Sequence, residues 1–299
     1  MLETVDFRPG MKQDIPQFVS LMNSQYSRKK GETYFLWQYF NSYYPAVLMC
    51  ATANDKIIGM FGLQKKKLNN RANVGQALDI LVAPEWRGKG IFKELGGKAI
   101  HYFQDVDLLC VFANLGGKKA SEKSLGWKTL DKINSMWIHP EDIKNVSGST
   151  LESVPKLEKT FCRFEYSPEI RNWRYNQHPD YKYYTISQTS GEFAVTKIFT
   201  DPDTSQSFGD IVDFECDLND KVILKELFLR ASLHLRERGV VAVTTWALPH
   251  TPLREVLESI GFTELQKERY FCVKVLNPQY EYLSNISSWH LVEADAEIY

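Results

Sequence analysis

Leu78-Asp79-Ile80-Leu81-Val82-Ala83-Pro84-Glu85-Trp86-Arg87-Gly88-Lys89-Gly90-Ile91-Phe92 joins a β-like run to a helix. The run from Gln76 to Val82 stops at Pro84. Beyond the turn, Phe92, Leu95, Ala99 and Phe103 fall on one apolar helical stripe. Glycines at 88 and 90 permit backbone conformations closed to other residues and a close approach to a ligand. A helix beginning near Ile91 turns its unpaired N–H groups and the positive end of its dipole into that turn. Such a turn suits phosphate oxygens. Arg87 and Lys89 bring positive charge to the same place, so a diphosphate is its natural guest; the alternative is a plain glycine turn with solvated basic residues. Asp79 interrupts an otherwise apolar strand, where a carboxylate is costly unless it is paired or functional. Burial would raise its pKa towards the range of a useful base. It could instead point to solvent or pair with a nearby Lys or Arg.

Working outward, Ile15, Phe18, Val19 and Met22 recur at helical spacing and predict a helix over about Gln13 to Asn23, with a second over Tyr34 to Phe40. Ala46 to Ala53, Lys56 to Gln64 across an Asn54-Asp55 turn, and Gln76 to Val82 read as an antiparallel meander. A strand over Leu108 to Ala113, a polar helix near Lys118 to Ser124 and a last strand near Ile133 to Ile138 complete a mixed α/β unit.

Composition narrows the function classes. The 299 residues exceed the usual size of one domain. Lys plus Arg number 36 against 37 Asp plus Glu, so no broad charge draws the chain to nucleic acid or an anionic membrane. No stretch approaches the roughly 18 apolar residues of a membrane span, and the N-terminus lacks a cationic-then-apolar signal pattern, so the expectation is a cytoplasmic protein. Cys50, Cys110, Cys162, Cys216 and Cys272 lie too far apart for a disulfide framework or zinc knuckle and read as buried free thiols. The six histidines are scattered, with no metal-ligand spacing.

The second half echoes the first. Trp37-Gln38-Tyr39 recurs as Trp173-Arg174-Tyr175 at an offset of 136, and Ile91-Phe92-Lys93-Glu94-Leu95 as Ile223-Leu224-Lys225-Glu226-Leu227 at 132. Phe112-Ala113 matches Trp246-Ala247 at 134, and Leu125-Gly126-Trp127 matches Ile260-Gly261-Phe262 at 135. Four matches in one order predict a duplicated fold, divided in the polar run Glu141 to Thr150 into domains 1–145 and 146–299. The counterpart of the glycine turn, Asp213-Phe214-Glu215-Cys216-Asp217-Leu218-Asn219-Asp220-Lys221, has neither glycine nor arginine, and its acids would repel a diphosphate.

Val82-Ala83-Pro84-Glu85-Trp86-Arg87-Gly88-Lys89-Gly90-Ile91 resembles the pyrophosphate loop of the GNAT acyl-CoA N-acyltransferases. That loop is described as Gln or Arg, two residues, Gly, one residue, then Gly or Ala; Arg87 and Gly90 match, whereas Phe92 fills the last place and narrows the space near the helix start. Asn114 and Leu125-Gly126-Trp127 fit the family's later features. A second resemblance, carried by Phe35-Leu36-Trp37-Gln38-Tyr39, Trp289 and Asp295-Ala296-Glu297, is to a subgroup found with polysaccharide biosynthesis enzymes. It implies two tandem GNAT-like domains, the second degenerate, with one cofactor site in the first.

The resemblance implies acetyl-CoA as co-substrate, no metal, and direct acetyl transfer to a small primary amine, in the subgroup an amino sugar, free or nucleotide-linked. It implies that Arg87, Gly88, Lys89, Gly90, Ile91 and Phe92 hold the diphosphate, and that the backbone of Ile80, Leu81 and Val82, with Asn114, holds the pantetheine arm. Asp79 is the candidate base. Glu122 falls where the family often has a tyrosine acid for the leaving thiolate, although a glutamate on a Lys-rich helix is commonly just solvated. Asn114 is equally a common turn former. Tyr34 and Trp37, with Tyr39, Tyr43 and Tyr44, form an aromatic cluster that borders the acceptor cleft in the family; such residues at helical spacing are also ordinary core. Lys65-Lys66-Lys67 could reach a nucleotide phosphate or form a solvated face. The rivals are a Fem-like aminoacyl transferase, which needs no diphosphate loop, and a non-catalytic CoA-binding or scaffold protein.

Overall fold

The structure is a computed structural model and describes residues 4–143, 161–188, 191–266 and 268–296. Its elements follow one another twice in the same order. The first series is α2 (Glu32–Phe35) with a π-helical turn Leu36–Phe40, β2 (Ala46–Ala53), β3 (Lys56–Lys67), β4 (Asn73–Val82), α3 (Ile91–Tyr102), β5 (Leu108–Ala113), α4 (Leu115–Leu125), β6 (Lys128–Lys132) and β7 (Ser135–Ile138), preceded by β1 (Asp6–Pro9) and α1 (Ile15–Gln25). The second is α5 (Pro168–Arg171) with a π-helical turn Asn172–Asn176, β8 (Tyr183–Ser187), β9 (Phe193–Thr200), β10 (Ser207–Glu215), α6 (Lys221–Arg236), β11 (Val243–Trp246), α7 (Pro252–Ile260), β12 (Thr263–Leu265) and β13 (Tyr270–Val275). The mixed α/β class and the duplication are thus explicit in the element order.

The sheets trade their last strands. One has the order β1-β2-β3-β4-β5-β13-β6, the other β12-β7-β11-β10-β9-β8. β13 pairs antiparallel with β5, and β7 with β11 and β12. Accordingly one compact unit comprises Met1–Asp131, Phe164–Asp180 and Arg269–Ile286, and the other Lys132–Arg163, Tyr181–Glu268 and Ser287–Tyr299. The strand expected near Ile133 to Ile138 therefore joins the second sheet, and β6 is an addition to the expected layout. The polar run expected as the domain boundary, 141–150, lies from residue 144 onward outside the described residues.

In the first unit the strand period of two sorts side chains to opposite faces. Leu48 and Cys50 of β2 join a core with Ile15, Phe18, Met22, Phe35 and Tyr39. Val47, Met49 and Ala51 join Leu95 and Ala99 of α3 and Leu125 of α4 on the other face. Because both faces are covered, β5 is buried at all six positions, as interior strands of α/β sheets are. In the second unit α6 buries Leu224, Leu227, Phe228, Ala231 and Leu235, and α7 buries Leu253, Val256, Leu257 and Ile260. Trp289 and Asp295 are buried in that unit, while Glu297 lies outside the described residues.

Two helical expectations change in shape. The helix expected over Tyr34 to Phe40 starts as α and widens into a π turn, closed by the Asn41 N–H donating to the carbonyl of Leu36 at 2.7 Å. The polar helix expected over Lys118 to Ser124 is longer, because Asn114 accepts the Gly117 N–H at 2.8 Å and caps its start.

Candidate functional site

Strands β4 and β5 run parallel from Val74 opposite Leu108 to Ala77 opposite Val111, and there their pairing stops. Leu78 to Val82 continue against β3 alone. At the same point β4 carries an extra residue: Met60 faces Leu81 and Gly62 faces Leu78, so Asp79 and Ile80 together oppose Phe61. This β-bulge puts Asp79 at φ 47°, in the left-handed region that a non-glycine residue rarely adopts.

The bulge aims Asp79 at two tyrosines. Tyr39 Oη donates to Oδ2 at 2.7 Å, and Tyr34 Oη donates to Oδ2 at 2.9 Å and Oδ1 at 3.2 Å. Tyr34 in turn lies beneath Lys30, whose Nζ sits 3.9 Å above the ring centroid and 3.0 Å from Asp180 Oδ2. Asp79 is half-buried, yet the protein packed around its carboxyl is dense enough that burial pushes its pKa above the ordinary carboxylate value. The Tyr39 hydrogen bond, the Lys30 charge and the Tyr34 hydrogen bond pull the other way and lose. The result is a carboxyl held by hydroxyl donors rather than by an ion pair, a setting that favours proton exchange.

The sequence did not single out Tyr39 or Lys30 as partners of Asp79. On an α-helix, residues five apart lie about 140° apart, so Tyr34 and Tyr39 would face different ways. The π turn takes up the extra residue and brings both hydroxyls onto one carboxyl. Gly62 completes the approach, since a Cβ there would lie 2.1 Å from Tyr39 Oη.

The glycine turn follows directly. A 3₁₀ turn, Pro84–Trp86, leads into Gly88 and Gly90, both left-handed at φ 77° and 81°. A Cβ on either would meet nothing within 4 Å, so the turn borders open space. Gly90 is the N-cap of α3 and offers no side chain to its amides; the Glu94 N–H is the first to bond back, to the Gly90 carbonyl at 3.2 Å. The N–H groups of Ile91, Phe92 and Lys93 thus face the turn without a carbonyl of the helix. Arg87 is anchored at the strand end, donating from Nε to the Val82 carbonyl at 3.0 Å and from Nη2 to Gln25 Oε1 at 2.9 Å. Lys89 Nζ lies 4.5 Å from the Trp86 ring centroid. This collection of left-handed glycines, open amides and two cations fits a diphosphate. The Phe92 ring packs on Phe61, centroids 6.0 Å apart.

The other expected residues fall as follows. Leu81 is buried, and Ile80 and Val82 are half-buried on the stretch of β4 that pairs with β3 alone. Asn114 closes β5 and caps α4. Glu122 is exposed on α4 and accepts the Thr129 hydroxyl at 2.6 Å. Trp37 is enclosed, stacked on Trp173 at 4.4 Å and 12° and against His178 at 4.4 Å, with Nε1 donating to the Trp173 carbonyl at 3.1 Å. Tyr34 is buried, with its hydroxyl on Asp79. Lys65 pairs with Asp105 and Lys66 is buried between the rings of Tyr44 and Phe164, so two of the three lysines at 65–67 serve the fold. Burial pushes the thiols of Cys50 to about 11 and Cys162 to about 12, leaving neither a ready nucleophile. Among the described residues no helix is long and apolar enough to cross a membrane, and no cluster of His, Cys, Asp and Glu is arranged to hold a metal.

Residues 15–127 match the model of the Acetyltransferase (GNAT) family. No curated protein matches the sequence. Among solved structures, a GCN5-related N-acetyltransferase from Anabaena variabilis superposes with a TM-score of 0.65 at 12% identity, over 91% of this chain and 73% of that one. One from Kribbella flavida gives 0.61 at 10% identity, over 92% and 72%. The N-myristoyltransferase of Saccharomyces cerevisiae with bound myristoyl-CoA gives 0.59 at 9% identity, over 91% and 83%. The chain thus matches the GNAT acetyltransferase family in sequence over residues 15–127 and has the fold of GNAT structures over nine-tenths of its length.

Proposed function

We propose that the protein is an N-acetyltransferase that moves the acetyl group of acetyl-CoA to a primary amine by direct attack, using one site in the first half of the chain. The observation that carries this reading is the succession, within fifteen residues, of a bulged carboxylate, a strand end paired on one side only and an open, cationic helix start. In this reading the amides of Gly88 to Phe92, with Arg87 and Lys89, take the diphosphate. The freed backbone of Ile80, Leu81 and Val82 takes the pantetheine arm, with Asn114 at its border. The amine nitrogen attacks the thioester carbonyl carbon, its proton passes to Asp79, and the carbon–sulfur bond breaks with the electron pair leaving on sulfur. Tyr34 and Tyr39 orient the carboxylate, and Trp37 holds the turn that carries them. Glu122, engaged with Thr129, receives no step, so the thiolate departs to solvent.

The acceptor we propose is an amino sugar, in keeping with the resemblance of Phe35 to Tyr39 and the C-terminal segment to enzymes of polysaccharide assembly. The acyl group we propose is acetyl, although a structural neighbour carries a myristoyl chain, so acyl-CoAs of increasing length belong in the assay. Calorimetric titration with acetyl-CoA tests the site: the wild type binds one equivalent, and Gly90→Asp weakens binding at least 100-fold. Gly90→Ala, which bears the backbone strain without the charge, keeps most of it. Thiol release with amino sugars then tests turnover. A wild type that does not bind acetyl-CoA overturns the reading and favours an aminoacyl transferase or a scaffold.

A further inference from the structure

A cavity of about 500 Å³ opens in the first unit beside the two π turns, lined by Asn41, Tyr43, Glu169, Asn172, Trp173 and Gln177 among others. Neither Asp79 nor any residue of the glycine turn lines it. Its size is that of a small-molecule site.

Its walls are made by the internal repeat. Asn41 and Gln177 are the residues that end the two π turns, each donating its N–H to the carbonyl five residues back. The two repeat tryptophans stack on each other, but their donors are treated unequally. Trp37 Nε1 reaches the Trp173 carbonyl, whereas Trp173 Nε1, on a residue only 4% exposed, finds no acceptor among the described residues. A buried indole N–H left unpaired is costly, and it lies in one of the residues that wall the cavity.

The lining selects the ligand's chemistry. Three exposed carboxamides, on Asn41, Asn172 and Gln177, supply donors and acceptors, the pairing that neighbouring hydroxyls require, with Asn172 Oδ1 also accepting from Asn176 Nδ2 at 3.0 Å. The ring of Tyr43, 48% exposed, offers a flat apolar face to the C–H side of a sugar ring. Among the described residues no basic side chain lines the cavity, which disfavours a phosphate or uronate. Glu169, whose carboxyl accepts the Ser167 hydroxyl at 2.7 Å and is held below its usual pKa by that bond, adds a negative charge suited to an ammonium group.

We propose that this cavity is a saccharide-binding site that takes a hydroxyl-rich, amino-substituted sugar. Binding there requires no acyl transfer; only its use as a dock for the acceptor rests on the acetyltransfer reading. The test is titration of the intact protein, without acetyl-CoA, with the unacetylated glucosamine disaccharide, followed by intrinsic tryptophan fluorescence and calorimetry. Saturable binding is expected, weakened about tenfold in Asn172→Ala and in Tyr43→Ala and unchanged in Gly90→Asp. Both lining residues are exposed, and matching thermal melts establish that the variants fold. Absence of saturable binding, equal binding in both lining variants, or equal binding of a digalacturonate overturns the proposal. Because Gly90→Asp should lose acetyl-CoA but keep the sugar, and Asn172→Ala the reverse, failure of either site is read separately.

Discussion

The turn after β4 and the turn after β10 sit at the same place in the repeat and start their helices in different ways. Each follows a bulged strand: β4 has an extra residue at Asp79 and Ile80, and β10 has one between Ile211 and Asp213. Each strand pairs in parallel with its neighbour only briefly, β10 meeting β11 at Gly209 and Asp210. The first turn caps its helix with Gly90 and leaves the amides open. The second caps its helix with Asp220, whose Oδ1 accepts the Ile223 N–H at 3.0 Å. Nearby, Asp217 Oδ1 accepts the Asn219 N–H at 2.9 Å. The thiol of Cys216 registers the local field: burial first, then the charges of Glu192, Asp220, Asp217 and Glu215, push it up to about 12. One scaffold thus starts its helix with open amides in the first copy and with an amide met by an acidic side chain in the second.

The comparison breaks most visibly at Gly90. Gly90→Asp rebuilds in the first turn the acidic cap of the second, and the expected loss of acetyl-CoA binding in the titration described above is the largest effect. A variant that binds normally would mean that the capping residue does not decide which turn takes the diphosphate.

Asp79 comes next. Asp79→Asn is expected to lower turnover about 10²- to 10⁴-fold, the usual worth of a positioned base. In the wild type kcat/KM should rise with pH through a pKa above the ordinary carboxylate value of about 3.9, and that limb should vanish in the variant. Stability moves the other way. A carboxyl whose pKa is raised on folding binds its proton more tightly in the native state, so stability falls as pH rises from about 3.9 through the folded pKa. Asp79→Asn should therefore melt higher than wild type at pH 7, with the difference closing below about pH 4. A variant that melts lower at pH 7 would assign Asp79 to structure.

A smaller effect sharpens the role of the π turn. Tyr39→Phe removes the 2.7 Å donor, the strongest of the influences that hold the Asp79 pKa down, so the alkaline-rising limb of kcat/KM should move to higher pH with a few-fold loss near neutrality. An unmoved limb would detach Tyr39 from the base.

Local signals made much of this legible. The glycine turn, the meander and the apolar stripe of α3 rest on residue types whose backbone preferences act within a few positions, and strands β2 and β5 start and end where the sequence places them. The exchange of β7 and β13 was not legible, because both are short apolar strands whose partners lie more than a hundred residues away. The partners of Asp79 were hidden for a different reason. Reading Tyr34 to Phe40 with a period of 3.6 sends Tyr39 to the wrong side, and only a π turn brings it back. Arg87 and the two glycines were singled out from sequence, but that Arg87 would be tied to Gln25 depends on how α1 packs.

The smallest expected effect lies in the second turn and asks whether its acidic cap is more than a discarded binding site. Asp220→Ala removes the side-chain acceptor of the Ile223 N–H and should lower stability by about 1 kcal/mol, read as a lower urea midpoint with an unchanged slope. Acetyl-CoA stoichiometry should stay at one, since Asp213, Glu215 and Asp217 remain and no glycine frees the backbone. A second equivalent bound by Asp220→Ala would show that a single capping carboxylate had been all that separated the two turns. The expected outcome, lost stability without gained affinity, would instead show that the second copy now depends on its acid for folding, with the phosphate's place at the helix start taken by a side chain of the chain itself.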